Sequence, residues 1–135
     1  MIVVDTSVWI DFFRGAPTPE VERFVALVEE DAGIALTDVI LAEILQGLRS
    51  ERDVRRVERR LAPFEILRLH DIDDFRRAAA LYRGARRKGI TIRRTLDCLI
   101  ASVCVREGVP LLHADADFDR LASCSALRVA DPRSR

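Results

Sequence analysis

Residues Met1–Ser7, MIVVDTS, place a short β-branched run directly before a cluster of helix-capping residues. Ile and Val favour extended backbone, and an Asp, Thr or Ser side chain can accept a hydrogen bond from the first free N–H groups of a helix. The apolar stretch VWIDFF follows the cluster. The N-terminus therefore predicts a strand that leads straight into a helix, with Asp5 at the junction.

The same order of strand and helix recurs along the chain. The runs GIAL, FEILRL and VPLL predict further strands, and segments with apolar residues three and four positions apart predict helices. Strands separated by helices pair in parallel, with helices on both faces of the sheet. We therefore predict an α/β fold, a three-layer α/β/α sandwich with a mainly parallel central sheet. Six helices are predicted. The first follows Asp5-Thr6-Ser7, the second covers about 20–30, and the third begins at a Thr37 or Asp38 cap. The fourth and fifth cover 50–61 and 71–87, and the sixth begins at a Thr95 cap.

Length and composition narrow the class of protein. The 135 residues suit one domain over 1–135, and Lys+Arg 22 against Asp+Glu 22 leaves no net charge to attract nucleic acid or a membrane, so such binding needs a local patch. The three cysteines lack C-x-x-C spacing, which argues against a zinc site. No apolar run reaches the ~20 residues of a membrane span, so we expect a cytoplasmic protein with no membrane partner.

Four acids are hard to explain as solvated side chains: Asp5, Glu43, Asp97 and Asp115. Glu43 shares its helical face with Ile40 and other apolar residues, and Asp97 opens a strongly apolar helix. An ionised group removed from water needs an opposite charge or a metal. The simpler explanations remain open: an arginine ion pair for Glu43, and a favourable place at a helix N-terminus for Asp5 and Asp97.

Taken together, the four acids predict a metal site. In a parallel sheet the ligand crevice lies beyond the carboxyl ends of the strands, and Asp5 follows the first strand while Asp115 follows the last. Bare carboxylates at one place would repel one another, whereas one or two Mg²⁺ or Mn²⁺ ions suit a set of oxygen ligands. Such metals promote hydrolysis of phosphodiesters. Asp117 could also bind metal or cap a helix, and Asp119 is expected to be solvated.

The segments VVDTS, AEILQG, TLDCLIAS and HADADFDRL, taken in order, resemble the PIN-domain ribonucleases, specifically the VapC-type toxin of type II toxin–antitoxin modules. The resemblance implies a PIN-like fold, Mg²⁺- or Mn²⁺-dependent endoribonuclease activity, a homodimer, and growth inhibition that a cognate antitoxin neutralises. It implies catalytic roles for Asp5, Glu43, Asp97 and Asp115. The metal would be held by Asp5, Asp97 and Asp115, with Glu43 direct or through water, Asp117 a possible further ligand, and Thr6 and Ser7 auxiliary.

A cationic segment leads into Asp97 and suggests where RNA could bind. No acid interrupts the segment, so contact with RNA phosphates is one interpretation. Cations are also favourable at a helix C-terminus, which would explain Arg86, Arg87 and Lys88 without RNA. The candidate RNA-binding residues are Arg86, Arg87, Lys88, Arg93 and Arg94.

Other conspicuous residues receive no catalytic role. His70 and His113 are left out of the site, and Trp9, Phe12 and Phe13 are interpreted as core or subunit-contact residues.

Three rival functions stay open on the sequence alone. One is a PIN-like nuclease that processes RNA and is not a toxin. A second is a catalytically silent α/β binding domain that keeps the acids for structure. A third, an aspartyl-phosphate receiver, needs a lysine beyond a late strand, and Lys88 is poorly placed for that role.

Overall fold

Pairs of helices separate each strand from the next, in regular alternation, along residues 1–133, the part of the chain that the computed structural model describes. This alternation confirms the predicted α/β fold. The strands are β1 (Ile2–Val4), β2 (Ile34–Thr37), β3 (Glu65–Leu67) and β4 (Leu111–Leu112), and the helices are α1 (Thr6–Phe13), α2 (Pro19–Glu29), α3 (Asp38–Gln46), α4 (Glu51–Leu61), α5 (Ile72–Arg87), α6 (Thr95–Glu107) and α7 (Ala116–Ser123).

The sheet is parallel throughout and has the order β3-β2-β1-β4, as predicted for strands separated by helices. Val3 lies in register with Ala35 on one side and with Leu111 on the other. The chain therefore builds outward from β1 to β3 and then returns to add β4 on the opposite side of β1. Strand order reverses between β1 and β4, which is where parallel sheets form ligand crevices.

The inner strands are completely enclosed by helices, and an aromatic cluster anchors α1 to them. Trp9 is buried, and its indole N–H donates to the Val4 carbonyl at 2.9 Å. Its ring lies 4.7 Å from that of Phe24 and 5.1 Å from that of Phe64 in edge-on contacts. Trp9 is thus a core residue whose polar atom is satisfied, as large buried aromatic side chains require.

Two helix starts clarify or correct the predicted caps. Thr37 caps α3 by accepting from the Ile40 N–H at 3.1 Å, while Asp38 accepts from the Leu69 N–H at 3.0 Å and fixes the segment after β3. The predicted Thr95 cap is wrong. Arg94 is the N-cap of α6 and makes no side-chain capping bond, because a guanidinium has no acceptor for the free N–H groups of a helix.

Asp74 is a buried acid that holds α5 against α6. It accepts from the His70 N–H at 2.6 Å, from Arg77 at 2.8 Å and from Arg106, which reaches across from α6. Burial alone would raise the pKa of Asp74, but these donors outweigh it and hold the pKa below its usual value. The charged form of Asp74 therefore stabilises the folded chain.

Replacing Asp74 with Asn should cost on the order of 3 kcal/mol of unfolding free energy, because it leaves the Arg106 guanidinium without its buried partner. The contribution of Asp74 should be fully present above the ~3.9 pKa of an unfolded Asp and be lost as pH falls through the lower folded pKa. Urea denaturation at several pH values measures both effects.

The matched control is Asp73→Asn, because Asp73 and its partner Arg76 are both exposed. That change should cost less than about 1 kcal/mol. Equal losses in the two variants would mean that the Asp74 network does not stabilise the α5–α6 pair.

Candidate active site

Asp5 leaves β1 at the switch point and caps α1. One carboxylate oxygen, Oδ2, accepts from the Ser7 N–H at 3.1 Å and from the Ser7 hydroxyl at 2.6 Å. The other oxygen, Oδ1, is buried and has no hydrogen-bond partner among the described residues. Burial raises the pKa of Asp5, and the Ser7 hydrogen bonds only partly oppose it. Capping of α1 therefore uses only one of the two carboxylate oxygens, Oδ2.

Glu43 projects from the buried face of α3 toward the same crevice. Its Oε1 accepts from the Thr6 hydroxyl at 2.7 Å, and its Oε2 accepts from Arg94 at 3.3 Å. The arginine ion pair that offers a simpler explanation for Glu43 is therefore present. Thr6 fixes the orientation of the glutamate from the first turn of α1.

Asp97 and Asp115 complete the acidic group from two other elements. Asp97, in the first turn of α6, is fully buried, and burial raises its pKa to about 6 despite the charge of Arg94. Asp115 follows β4 and caps α7, with Oδ1 accepting from the Asp117 N–H at 3.0 Å. The charges of Asp115 and Asp5 also raise the pKa of Asp97, so these three acids influence one another.

The guanidinium of Arg94 lies among three of the four acids. Arg94 donates to Asp97 at 2.8 Å and 3.4 Å, to Glu43 at 3.3 Å, and lies 3.7 Å from Asp115. Within residues 1–133, no group of three or more His, Cys, Asp or Glu side chains stands ready to hold a metal ion. Arg94 instead joins three of the four acids that the sequence singled out.

The loop between β4 and α7 is held in place by Ser7 and His113. The Ser7 hydroxyl accepts from the Ala114 N–H at 3.0 Å, and His113 Nδ1 accepts from the Asp115 N–H at 3.0 Å. His113 is buried and its Nε2 lies 3.1 Å from Asp119. Sequence reasoning gave His113 no role, although residues two apart on an extended segment share a face with each other, which was the available signal.

Asp117 lies beside the group but is fully engaged by other partners. One oxygen accepts from the Arg93 backbone at 3.2 Å and side chain at 3.1 Å, and the other accepts from Arg120. Burial would raise its pKa, but these donors together hold the pKa below the usual value. The geometry of Asp117 is that of a structural acid that anchors the 93–94 loop to α7.

The basic residues predicted to contact RNA fall into two sets. Arg93 and Arg94 touch the acids, Arg93 through Asp117 and through Asp115 at 3.2 Å. Arg86, Arg87 and Lys88 are exposed at the end of α5, with the Arg86 guanidinium 5.9 Å from the Tyr82 ring centre. The five do not form one continuous contact surface with the acids.

Comparisons with known sequences and structures agree on one protein family. A model of the PIN domain matches residues 2–123. Ribonuclease VapC11 of Mycobacterium tuberculosis is 40% identical over 136 residues, which cover 98% of this chain and all of that protein. Among solved structures, VapBC2 of Rickettsia felis bound to a promoter DNA fragment has a TM-score of 0.77 at 19% identity, covering 96% of this chain and 98% of its own. VapBC-5 of Mycobacterium tuberculosis has a TM-score of 0.67 at 27% identity, covering 94% of each chain.

The structural position of Asp117 predicts a loss of stability when its charge is removed. Asp117→Asn should lower the free energy of unfolding by on the order of 3 kcal/mol, because Arg93 and Arg120 lose a buried counter-charge. Asp119→Asn should cost less than about 1 kcal/mol, because Asp119 is exposed. Denaturant unfolding of both variants without metal is the measurement, and a stable Asp117→Asn protein would contradict the structural role.

Proposed function

Because this chain belongs to the PIN-domain family, whose VapC ribonucleases it matches along nearly its whole length, we propose that it is a toxin endoribonuclease. In this proposal residues 1–135 form one PIN-like nuclease domain. RNA phosphodiesters are its substrate, and a cognate antitoxin neutralises it. The observation that carries the proposal is the convergence of Asp5, Glu43, Asp97 and Asp115 at the point where strand order reverses.

The residues present fit a hard divalent cation. Asp5 Oδ1 is a buried oxygen with no donor in the part of the chain that the structure describes, and the nearby acids offer only oxygen ligands, which suit Mg²⁺ or Mn²⁺. Asp5, Asp97 and Asp115 would hold one or two such ions, with Glu43 binding directly or through water. Asp117 is omitted from the ligands because its oxygens already accept from arginines.

The bound metal would supply a polarised phosphate and a water of lowered pKa. The chain's own side chains supply orientation. Ser7 holds one oxygen of Asp5, Thr6 holds one oxygen of Glu43, and His113 holds the backbone of Asp115. Asp5, Glu43 and Asp115 are therefore each oriented by a neutral donor or acceptor, whereas the Asp97 carboxylate is oriented by Arg94.

The exposed cations at the end of α5 and in the 93–94 loop are proposed to bring RNA to the site. Lys and Arg contacts to phosphate position nucleic acid independently of sequence. Arg87 and Lys88 are free to meet solvent, while Arg93 and Arg94 are adjacent to the acids. Arg86 lines the cavity between α5 and α6 together with Arg93.

The outer face of α5 is proposed as the homodimer contact. Ile72 and Phe75 are exposed large apolar residues on this face, and Tyr82 continues their stripe. A two-fold axis would set two copies of α5 antiparallel, so the acidic end at Asp71 would meet the basic end of the partner's helix at Arg83. The face is therefore complementary to itself in charge as well as apolar.

A separate aromatic groove is proposed for an apolar segment of the antitoxin. The groove has a volume of about 310 Å³, and Val28 at its edge is exposed. It shares no residue with the α5 stripe, so both partners can bind at once. Its lining includes Trp9, Phe12, Phe13, Phe24, Val25, Val28, Arg60 and Phe64.

Removing the charge of any one acid should abolish cleavage without unfolding the protein. We expect Asp5→Asn, Glu43→Gln, Asp97→Asn and Asp115→Asn each to lose more than about 100-fold in the rate of RNA cleavage, as loss of a metal-site residue does. For Asp5 and Asp97, whose pKa values are raised, the amides should melt no lower than wild type without metal. Cleavage of a labelled RNA with Mn²⁺ and thermal melting are the two measurements.

Glu58→Gln on the exposed surface of α4 is the control and should retain full activity. Full activity in two of the four site variants would refute a shared centre. A cleaving protein that does not inhibit growth on induction would favour the RNA-processing alternative. A wild-type protein that neither cleaves RNA nor binds Mn²⁺ would favour a silent binding domain.

The two protein contacts predict reciprocal effects of adding a charge. Phe75→Asp should give a monomer that still binds the antitoxin, because the new carboxylate would be buried in the two-fold contact and would lie outside the aromatic groove. Val28→Asp should remain dimeric and bind the cognate antitoxin at least about tenfold more weakly, as a buried unpaired charge costs several kcal/mol. Analytical ultracentrifugation and antitoxin titration measure the two effects. The assignment fails if Phe75→Asp remains a dimer or Val28→Asp binds normally.

A further inference from the structure

The guanidinium of Arg94 occupies the point where three chain elements bring carboxylates together. Its donors reach Glu43 on α3 and both oxygens of Asp97 on α6, and Asp115 after β4 lies at 3.7 Å. The acids are buried or half-buried, whereas the Arg94 side chain is 51% exposed. Arg94 thus enters the acidic group from solvent and can leave by the same path.

We infer that Arg94 is an internal counter-ion that holds the acidic group together before a divalent cation binds and is displaced when one does. The inference rests on the proposed function, because it concerns the same site. Both oxygens of Asp97 accept from Arg94, so a cation that binds Asp97 directly must take over the position of at least one N–H donor. The guanidinium and the metal therefore compete for the same lone pairs.

The charges explain why the exchange runs in this direction. Glu43 and Asp97 lie out of water, where each ionised group needs a partner, and in the metal-free chain one guanidinium serves both. A divalent cation carries twice that charge in a smaller volume, and it can also bind the free oxygen of Asp5 that Arg94 does not contact. The metal satisfies the group better, but only after Arg94 has moved.

The neighbouring residue shows why Arg94 moves and Arg93 does not. Arg93 donates to Asp115 at 3.2 Å, but it is also held at its backbone N–H and its Nε by Asp117, which Arg120 holds as well. This anchor fixes the loop directly before Arg94. The displaced Arg94 guanidinium therefore stays within one side-chain length of the site, where it can meet a phosphate of bound RNA.

The test compares Mn²⁺ affinity and metal-free stability in wild type, Arg94→Ala and Arg94→Lys. Arg94→Ala should bind Mn²⁺ about five- to tenfold more tightly by calorimetry, because no side chain must first leave the site. The same variant without metal should melt at a lower temperature, because Glu43 and Asp97 lose their shared partner. Arg94→Lys keeps the positive charge but lacks the planar guanidinium, so its Mn²⁺ affinity and its melting temperature should lie between those of wild type and Arg94→Ala.

Arg55→Ala is the matched control, because it removes one exposed positive charge on α4 that pairs with no acid among residues 1–133. Its Mn²⁺ affinity should stay within about twofold of wild type if general electrostatics are weak at that distance. A purely structural Arg94 would lower the melting temperature of Arg94→Ala without tightening metal binding. That result would overturn the inference.

A second measurement needs no folded alanine variant. In the wild-type protein, the Arg94 Nε–H signal in nuclear magnetic resonance, assigned with Arg94→Lys, should shift and exchange faster with water on addition of Mg²⁺. An unchanged signal on a protein that demonstrably binds Mg²⁺ would overturn the exchange while leaving the proposed ribonuclease intact. Absence of divalent-ion binding in wild type and in both Arg94 variants would overturn the metal proposal and this inference together.

Discussion

The structure depends on one constraint: carboxylates gathered out of water at the end of a parallel sheet must be balanced by positive charge. The strand order β3-β2-β1-β4 makes β1 and β4 neighbours, so Asp5 and Asp115 meet although they lie at opposite ends of the chain. Helices α3 and α6 add Glu43 and Asp97 to the same crevice. An uncompensated buried charge costs several kcal/mol, a large fraction of the stability of a small domain. The side chains around the crevice compensate part of this charge, and a bound cation can compensate the rest.

Capping a helix and taking part in the site are two uses of the same side chain. Asp5 caps α1 through Oδ2 and Ser7, which turns Oδ1 into a buried position that no donor within residues 1–133 reaches. Asp115 caps α7 in the same way with one oxygen, and this fixes the direction of the whole carboxylate. Thr6 orients Glu43 from within the first turn of α1. The local rules of helix initiation therefore aim three acids at one place, and the simple and the functional explanations of these residues are compatible.

The fold and the acidic group followed from sequence because both depend on local patterns and on parallel strands having a common carboxyl edge. The arginines that pair with the acids could not be predicted from the sequence. Arg94 pairs with Glu43 across 51 residues, Arg93 with Asp117 across 24, and Arg106 with Asp74 across 32. Nearly all of the 22 basic residues are arginines, so spacing cannot select one of them for a given acid. For the same reason the sequence left Asp117 open as a metal ligand or a helix cap, whereas in the structure it accepts from Arg93 and Arg120.

The direction of the pKa shift separates the acids that stabilise the fold from those available for chemistry. Asp74 and Asp117 are buried, yet their pKa values are lowered, because each accepts from two arginines and a backbone N–H, which together outweigh burial. Asp5 and Asp97 are equally buried, but their pKa values are raised, because the chain does not fully compensate their charge. Groups left in that state destabilise the metal-free fold and cluster at functional sites. A ligand that binds only the folded chain and neutralises them recovers this free energy as binding. The unfavourable electrostatics of the crevice are therefore a source of affinity for a cation, whereas the well-paired acids beside it keep the surrounding loop in place.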